Sequence, residues 1–309
     1  MKKMLFVFNP NSGKAQIKNN LLKILQIFSE NDYEIEVYPT KAVKDGYNHI
    51  IAKEGQYDVL VCSGGDGTLN ESVGAVMNYK GQKPQIGYIP SGTTNDFATS
   101  LNIPKNMVEA AEHIVKGKPM SCDIGVMDKE RYFNYVAAFG AFTEVSYATP
   151  QSLKNLLGHQ AYVLEGVKSI ADLKPYSVSI KADDIETEGR FIYGMVSNTE
   201  SVGGMKGLAG SGIDLQDGLF EVTLIKELRT PGDLQQLVTA FLTQNFEACD
   251  VICSFKAKHV EMQFDSDVDW TLDGEYGGKH QHIKFDVIQN AVEFLVKKND
   301  KHGKMIRIQ

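Results

Sequence analysis

At 309 residues the chain is longer than one compact core usually supports, and two domains are the expected organisation. Hydrophobic residues make up 42% and charged residues 23%, which excludes a disordered chain. The net charge of -7 divides into -1 over residues 1–128 and -6 over the rest, so neither half is a basic nucleic-acid surface.

The same balance argues against strong electrostatic adhesion to anionic lipid, leaving only a local patch to touch a membrane. No apolar stretch approaches the roughly 20 residues that span a bilayer, the densest being "MLFVF" and "YVAAFGAF". Met1-Lys2-Lys3 has the look of a signal n-region, yet the apolar run behind it stops at Asn9-Pro10. The expectation is a first β-strand and a cytoplasmic protein. Cys62, Cys122, Cys249 and Cys253 show no CxxC spacing and read as packing thiols, not as a disulfide scaffold or a zinc site.

In chain order, "KMLFVFN" is a strand closed by "PNSG", and Ile17, Leu21, Ile24, Leu25 and Phe28 recur at helical spacing. "EIEVYPT" alternates as a strand, "GYNHIIAKEGQ" is a weaker helix, "YDVLVCSGG" a buried strand, "TLNESVGAVMNY" a helix and "QIGYIPSGT" a strand. This interleaving predicts a doubly wound parallel sheet with helices on both faces. Past about Asp128, "RYFNYVAAFG", "YSVSIKA", "EGRFIYGMVSNT", "GLFEVTLIKE", "HVEMQFDS" and "HIKFDVI" predict a β-sandwich or barrel. Two helices interrupt it, around "SLKNLLGHQAYVLEGVKSIADL" and "TPGDLQQLVTAFLTQN", the second with Thr230 as N-cap and Pro231 at its first position.

Chemistry gathers in the turns. In "SGGDGTLNES", Gly64, Gly65 and Gly67 let backbone amides approach a ligand at a helix N-terminus, a phosphate cradle; a tight βα turn explains the same spacing. It is no Rossmann fingerprint, because Asn70 stands at the last glycine position, and "NSGKA" is no Walker loop, because Phe8 replaces the upstream glycine and no Ser/Thr follows Lys14. "FNPNSGK" and "IPSGTTNDFA" follow two further strands of the same sheet, and three such turns on one carboxyl edge predict a nucleotide-sized crevice.

"NPNSG", "GGDGTLNE" and "PSGTTNDFA", in this order, resemble the catalytic domain of the diacylglycerol kinase family, which includes sphingosine, ceramide and bacterial soluble lipid kinases. "CDIG", "LGHQAYVLEG", "LQDGLFEV" and "LDGE" extend the resemblance to the bacterial members along nearly the whole chain. It implies the NAD kinase/diacylglycerol kinase-like fold, with an α/β ATP-binding domain over 1–128 plus about 290–309 and a β-sandwich lipid-substrate domain over 129–289. Asn9, Asn11, Ser12, Gly13, Thr40, Gly64, Gly65, Asp66, Gly67, Thr68, Asn70, Glu71, Thr93, Thr94 and Asn95 would then contact ATP. The acceptor would be diacylglycerol or a related lipid at a membrane surface, touched transiently, and members of this kind are often homodimers.

Phosphoryl transfer needs positioning, charge neutralisation, usually by Mg²⁺, and a base. Asp66 and Asp96 are the expected Mg²⁺ ligands, with Asp123 as third candidate; capping of the helices that follow is the alternative. Lys14 reads as phosphate contact or solvated surface. The resemblance assigns a structural Mg²⁺ to Asp214, Asp217 and the Leu219 carbonyl, where spacing alone gives an ordinary Asp-Gly turn. It assigns the general base to Glu275, with Asp273 as rival and a plain surface hairpin as alternative. Trp270 is expected in the core, and His280 and His282 at the surface. A kinase for a soluble acceptor such as NAD and a non-catalytic nucleotide sensor are the competing readings.

Overall fold

The computed structural model describes residues 1–140, 174–210 and 212–297, and the helix expected around 152–173 lies outside them, as does the chain beyond 297. The described chain divides into two compact units, Met1–Cys122 with the segment from Val292, and Asp123–Ala291.

The first unit is a parallel sheet in the order β2 (Tyr33–Pro39), β1 (Lys2–Phe8), β3 (Val59–Gly64), β4 (Gln85–Pro90). All six residues of β3 are buried, as a strand covered on both faces requires. Helix α1 (Ile17–Glu30) buries Ile17, Ile24 and Phe28, and full burial of one such side chain stabilises by about 1.5–3 kcal/mol. Helices α2 (Asp45–Ala52), α3 (Asp66–Met77), α4 (Asp96–Ser100) and α5 (Met107–Val115) follow their strands. The sheet gains a fifth parallel strand when the chain returns: Phe294 pairs with Ile86 of β4, and the Lys297 N–H donates to His113 Nε2 at 2.7 Å. The doubly wound expectation holds.

The second unit is antiparallel. Its strands are the end of β5 (Lys118–Met127), β6 (Arg131–Phe133), β7 (Val136–Gly140), β8 (Tyr176–Ala182), β9 (Ile185–Ser197), the short pair β10 (Ser201–Val202) and β11 (Met205–Lys206), β12 (Phe220–Lys226), β13 (Ile252–Ala257), β14 (His259–Leu272) and β15 (Glu275–Val296). β9 lies between β12 and a slot that β7 and β8 fill in line, and β14 closes the far side of that slot. Gly140 pairs with Tyr193 and Tyr176 with Phe191, so β7 ends and β8 begins at neighbouring register positions of β9. Gly140 has φ +82°, and a Cβ there would stand 2.2 Å from the Ile192 oxygen, which only glycine avoids.

The core of this unit is aromatic. Trp270 is fully buried as expected, with ring centroids 5.1 Å from both Phe139 and Phe285. Helix α6 (Pro231–Thr243) starts as the sequence predicts: Thr230 caps the Asp233 N–H and the Asp233 side chain returns the bond. His282 pairs with Glu261 and His280 with Asp128 at the surface of β15.

Candidate active site

The three turns at the carboxyl edge of the first unit's sheet come together. The Asn9 N–H donates to the Ser63 oxygen at 2.9 Å and the Ser91 N–H to the Gly64 oxygen at 2.8 Å, tying the turns after β1, β3 and β4 to one another. Within the first turn the Asn11 N–H donates to Asn9 Oδ1 at 2.9 Å. Gly13, at φ +56°, brings its Cα so close to the third turn that a Cβ would meet the Ser91 oxygen at 2.2 Å. A Cβ on Gly92 would stand 2.6 Å from the Gly65 Cα, and one on Gly64 would strike Thr68. The glycines permit backbone to lie against backbone.

Helix α3 begins at Asp66, two residues before the sequence reading placed it, with Gly65 as N-cap and no side chain capping the first turn. A helix N-terminus without a side-chain cap attracts anions through its amides and dipole. The Asp66 carboxylate accepts from the Asp96 N–H at 3.3 Å and the Phe97 N–H at 3.5 Å, at the start of α4. Two aspartates therefore stand at two adjoining helix starts, Asp96 only 3% exposed. That pair of hard oxygen donors suits a magnesium-type cation.

Beneath the turns lies a group that the sequence reading passed over. The Tyr88 hydroxyl sits 3.2 Å from the Gly64 oxygen and 3.3 Å from Asn95 Oδ1, and burial raises its pKa. Asn95, left-handed at φ +55°, takes the Gly92 N–H on Oδ1 and donates Nδ2–H to the Gly92 oxygen, so its side chain holds the third turn closed. Thr93 and Thr94 are exposed beside it. The Oγ atoms of Ser63 and Ser91 are buried without a hydrogen-bond partner, and orphaned polar atoms at a strand edge call for a ligand or water. Thr40 joins the group through its N–H to the Phe8 oxygen, and Glu71 Oε1 receives the Lys44 N–H at 2.7 Å. Asn70 is half-buried on α3, and Lys14 is exposed.

The remaining acids lie in the second unit. Asp273 and Gly274, at φ +50° and +85°, form the two-residue turn of the β14–β15 hairpin. Asp273 is buried and takes three amides: Asn134 N–H on Oδ2 at 2.6 Å, and Tyr135 and Val136 N–H on Oδ1 at 3.0 and 3.1 Å. Glu275, two residues on, is exposed and carries no side-chain hydrogen bond or ion pair among the described residues. Asp123 also holds backbone: Oδ2 takes the Gly218 N–H and Oδ1 the Asn290 N–H, both at 2.7 Å, while burial raises its pKa and Asp217 and Asp214 add to the rise. Asp214 Oδ1 takes the Gln216 N–H and Asp217 Oδ1 the Leu219 N–H, both at 3.0 Å.

Comparison with known proteins places these features. The model of the family described as "Diacylglycerol kinase catalytic domain" matches residues 3–127, and that of the "YegS C-terminal NAD kinase beta sandwich-like domain" matches residues 136–296. A diacylglycerol kinase of Bacillus subtilis (strain 168) is 33% identical over 282 residues, 90% of this chain and 91% of the relative. The crystal structure of a diacylglycerol kinase from Bacillus anthracis str. Sterne superposes with a TM-score of 0.75 at 21% identity, covering 96% of this chain and 97% of the other. An NAD kinase from Archaeoglobus fulgidus, solved in complex with ATP, gives 0.52 at 14% identity, covering 97% and 94%. The two structural likenesses speak for the fold alone.

Proposed function

This chain belongs to the diacylglycerol kinase family, and on that premise we propose that it transfers the γ-phosphate of ATP to the free hydroxyl of diacylglycerol or a similar lipid, giving phosphatidic acid. The observation that carries the nucleotide half is the interlocking of three glycine turns at one sheet edge, beside the uncapped start of α3 and two orphaned serine hydroxyls. Amides of the Asn9–Gly13 and Gly64–Thr68 turns would hold the phosphates, and Tyr88 and Asn95 keep two of the turns in place.

Asp66 and Asp96 are the residues that would hold Mg²⁺, which when bound supplies neutralisation of the charge that develops on the transferred phosphate. Glu275 is the proposed general base. Its rival Asp273 already accepts three amides, whereas the Glu275 carboxylate is open to a proton from the acceptor hydroxyl. No helix among the described residues is long and apolar enough to cross a membrane, so the enzyme would meet its lipid at the bilayer surface.

The test is transfer of labelled phosphate from ATP to diacylglycerol in mixed micelles with Mg²⁺. Glu275→Ala and Asp66→Ala should each lose at least about 100-fold with circular dichroism unchanged, the low end of what a general base supplies. Labelling of NAD in place of any lipid would remove the acceptor assignment and keep the nucleotide site. Binding of ATP without transfer to either would remove the enzyme reading altogether.

A further inference from the structure

One cation in the second unit touches an acid to which the family resemblance assigns a metal. Strands β12 and β13 pair so that Glu221 lies directly opposite Lys256, and the Lys256 ammonium is 3.1 Å from Glu221 Oε1. The same ammonium is 3.0 Å from Asp217 Oδ2. Asp217 thus has one oxygen on the Leu219 N–H and the other on Lys256, while Asp214 Oδ1 is turned onto the Gln216 N–H. Magnesium demands oxygens at about 2.0–2.1 Å in near-octahedral array, and here it would share a carboxylate oxygen with an ammonium. The Asp214, Asp217 and Leu219 set does not fit that metal as it is arranged.

We propose that Lys256 is the resident cation of the Asp214–Leu219 turn and replaces a divalent metal there. Glu221 helps to hold the ammonium: its side chain is only 6% exposed, and a cation beside it offsets part of the cost of burying its charge. Asp123 completes the turn from below through the Gly218 N–H, and the Asp123 N–H donates to the Leu215 oxygen at 2.8 Å. Asp123, Asp214 and Asp217 each accept a backbone amide, and Asp217 and Glu221 share Lys256 as ion-pair partner. The inference concerns this turn and stands apart from the kinase reading.

Mn²⁺ alone, titrated into the full chain without nucleotide and followed by electron paramagnetic resonance, tests it. Asp217→Asn should bind the same number of Mn²⁺ ions as wild type, with affinities within about twofold, a negligible free-energy difference. Loss of one Mn²⁺ site in Asp217→Asn, or a weakening of about tenfold or more, would overturn the proposal. A second measurement uses unfolding reported by Trp270, the single tryptophan. Replacing EDTA by Mg²⁺ should shift the midpoints of wild type and Asp217→Asn equally, and Lys256→Gln should lower the midpoint, with Glu221→Gln restoring part of the loss because the stranded carboxylate is gone. A wild-type midpoint that falls in EDTA and falls no further in Asp217→Asn would refute the assignment.

Discussion

Replacing Asp273 separates a structural acid from a catalytic one, because the two roles predict opposite pairings of stability and activity. Asp273→Ala strands the N–H groups of Asn134, Tyr135 and Val136 in a buried site. Each unmet amide costs about 1–3 kcal/mol, and since such losses are not additive the expected total is about 3–5 kcal/mol. Alanine at φ +50° adds about 1 kcal/mol. Asp273→Asn behaves differently, since an amide oxygen in place of Oδ1 keeps the Tyr135 and Val136 bonds and asparagine tolerates the left-handed turn. Only the Asn134 N–H loses its acceptor, at about 1–2 kcal/mol. Urea unfolding followed by Trp270 fluorescence reads this unit directly, because the ring is fully buried in its core, three residues before the turn. The Asn variant should be modestly destabilised and retain transfer activity below its transition, and the Ala variant should lose both together. An Asn variant with an unmoved midpoint and activity down about 100-fold would mean that Asp273 is the base, and the argument for Glu275 would fail.

Gly13→Ala should weaken ATP binding at least about tenfold by calorimetry and destabilise by about 1–3 kcal/mol, because its Cβ meets the Ser91 oxygen at 2.2 Å with φ at +56°. Gly55→Ala is the control, with φ +74° and open space around the new methyl; it should cost about 1 kcal/mol and leave ATP binding alone. His113 gives a pH prediction. Burial, and then the Lys297 charge, lower its pKa from 6.5, and its Nε2 must be unprotonated to accept the Lys297 N–H. The unfolded chain therefore takes up this proton first as pH falls, so the stabilisation is complete above about 6.5 and is lost below it, down to the depressed folded value. Thermal unfolding scanned from pH 7.5 to 5 should show that loss in wild type and less of it in His113→Gln; an identical pH dependence in the two would show that the contact is not made.

The first unit was legible because its signals are local. Buried strands alternate with amphipathic helices, and each glycine turn sits where its own strand ends. The boundary error at α3 has a local cause too: Gly65 and Gly67 read as helix breakers, yet Gly65 is the N-cap and Gly67 lies in the first turn, where Gly64 must stay bare to clear Thr68. The second unit was legible only as strands. That β7 and β8 share one slot between β9 and β14 depends on pairings to β14 across 78 to 135 residues, and no local pattern encodes them. Asp273 receives its amides from 137 to 139 residues away, and Lys256 reaches Asp217 across 39. Periodicity finds the strands, whereas the choice of partner is made by packing of the aromatic core.

The acids show what sequence reading of a site can and cannot separate. Asp66, Asp123, Asp273 and Glu275 all have glycine nearby in sequence, and residue type alone makes each a metal ligand, a base or a cap. Their hydrogen bonds divide them. Asp123 and Asp273 spend both oxygens on backbone amides of their own unit, which fixes loops and makes each carboxylate costly to move. Asp66 accepts two long amide contacts, at 3.3 and 3.5 Å, at the start of a neighbouring helix. Glu275 is one residue past the left-handed Gly274 and begins a strand with its carboxylate exposed. The rigid clamp at Asp273 and the open acid at Glu275 belong to one hairpin. A base that must meet its substrate with little reorganisation is best carried on a turn held by three buried bonds, and Glu275, the proposed base, stands on such a turn.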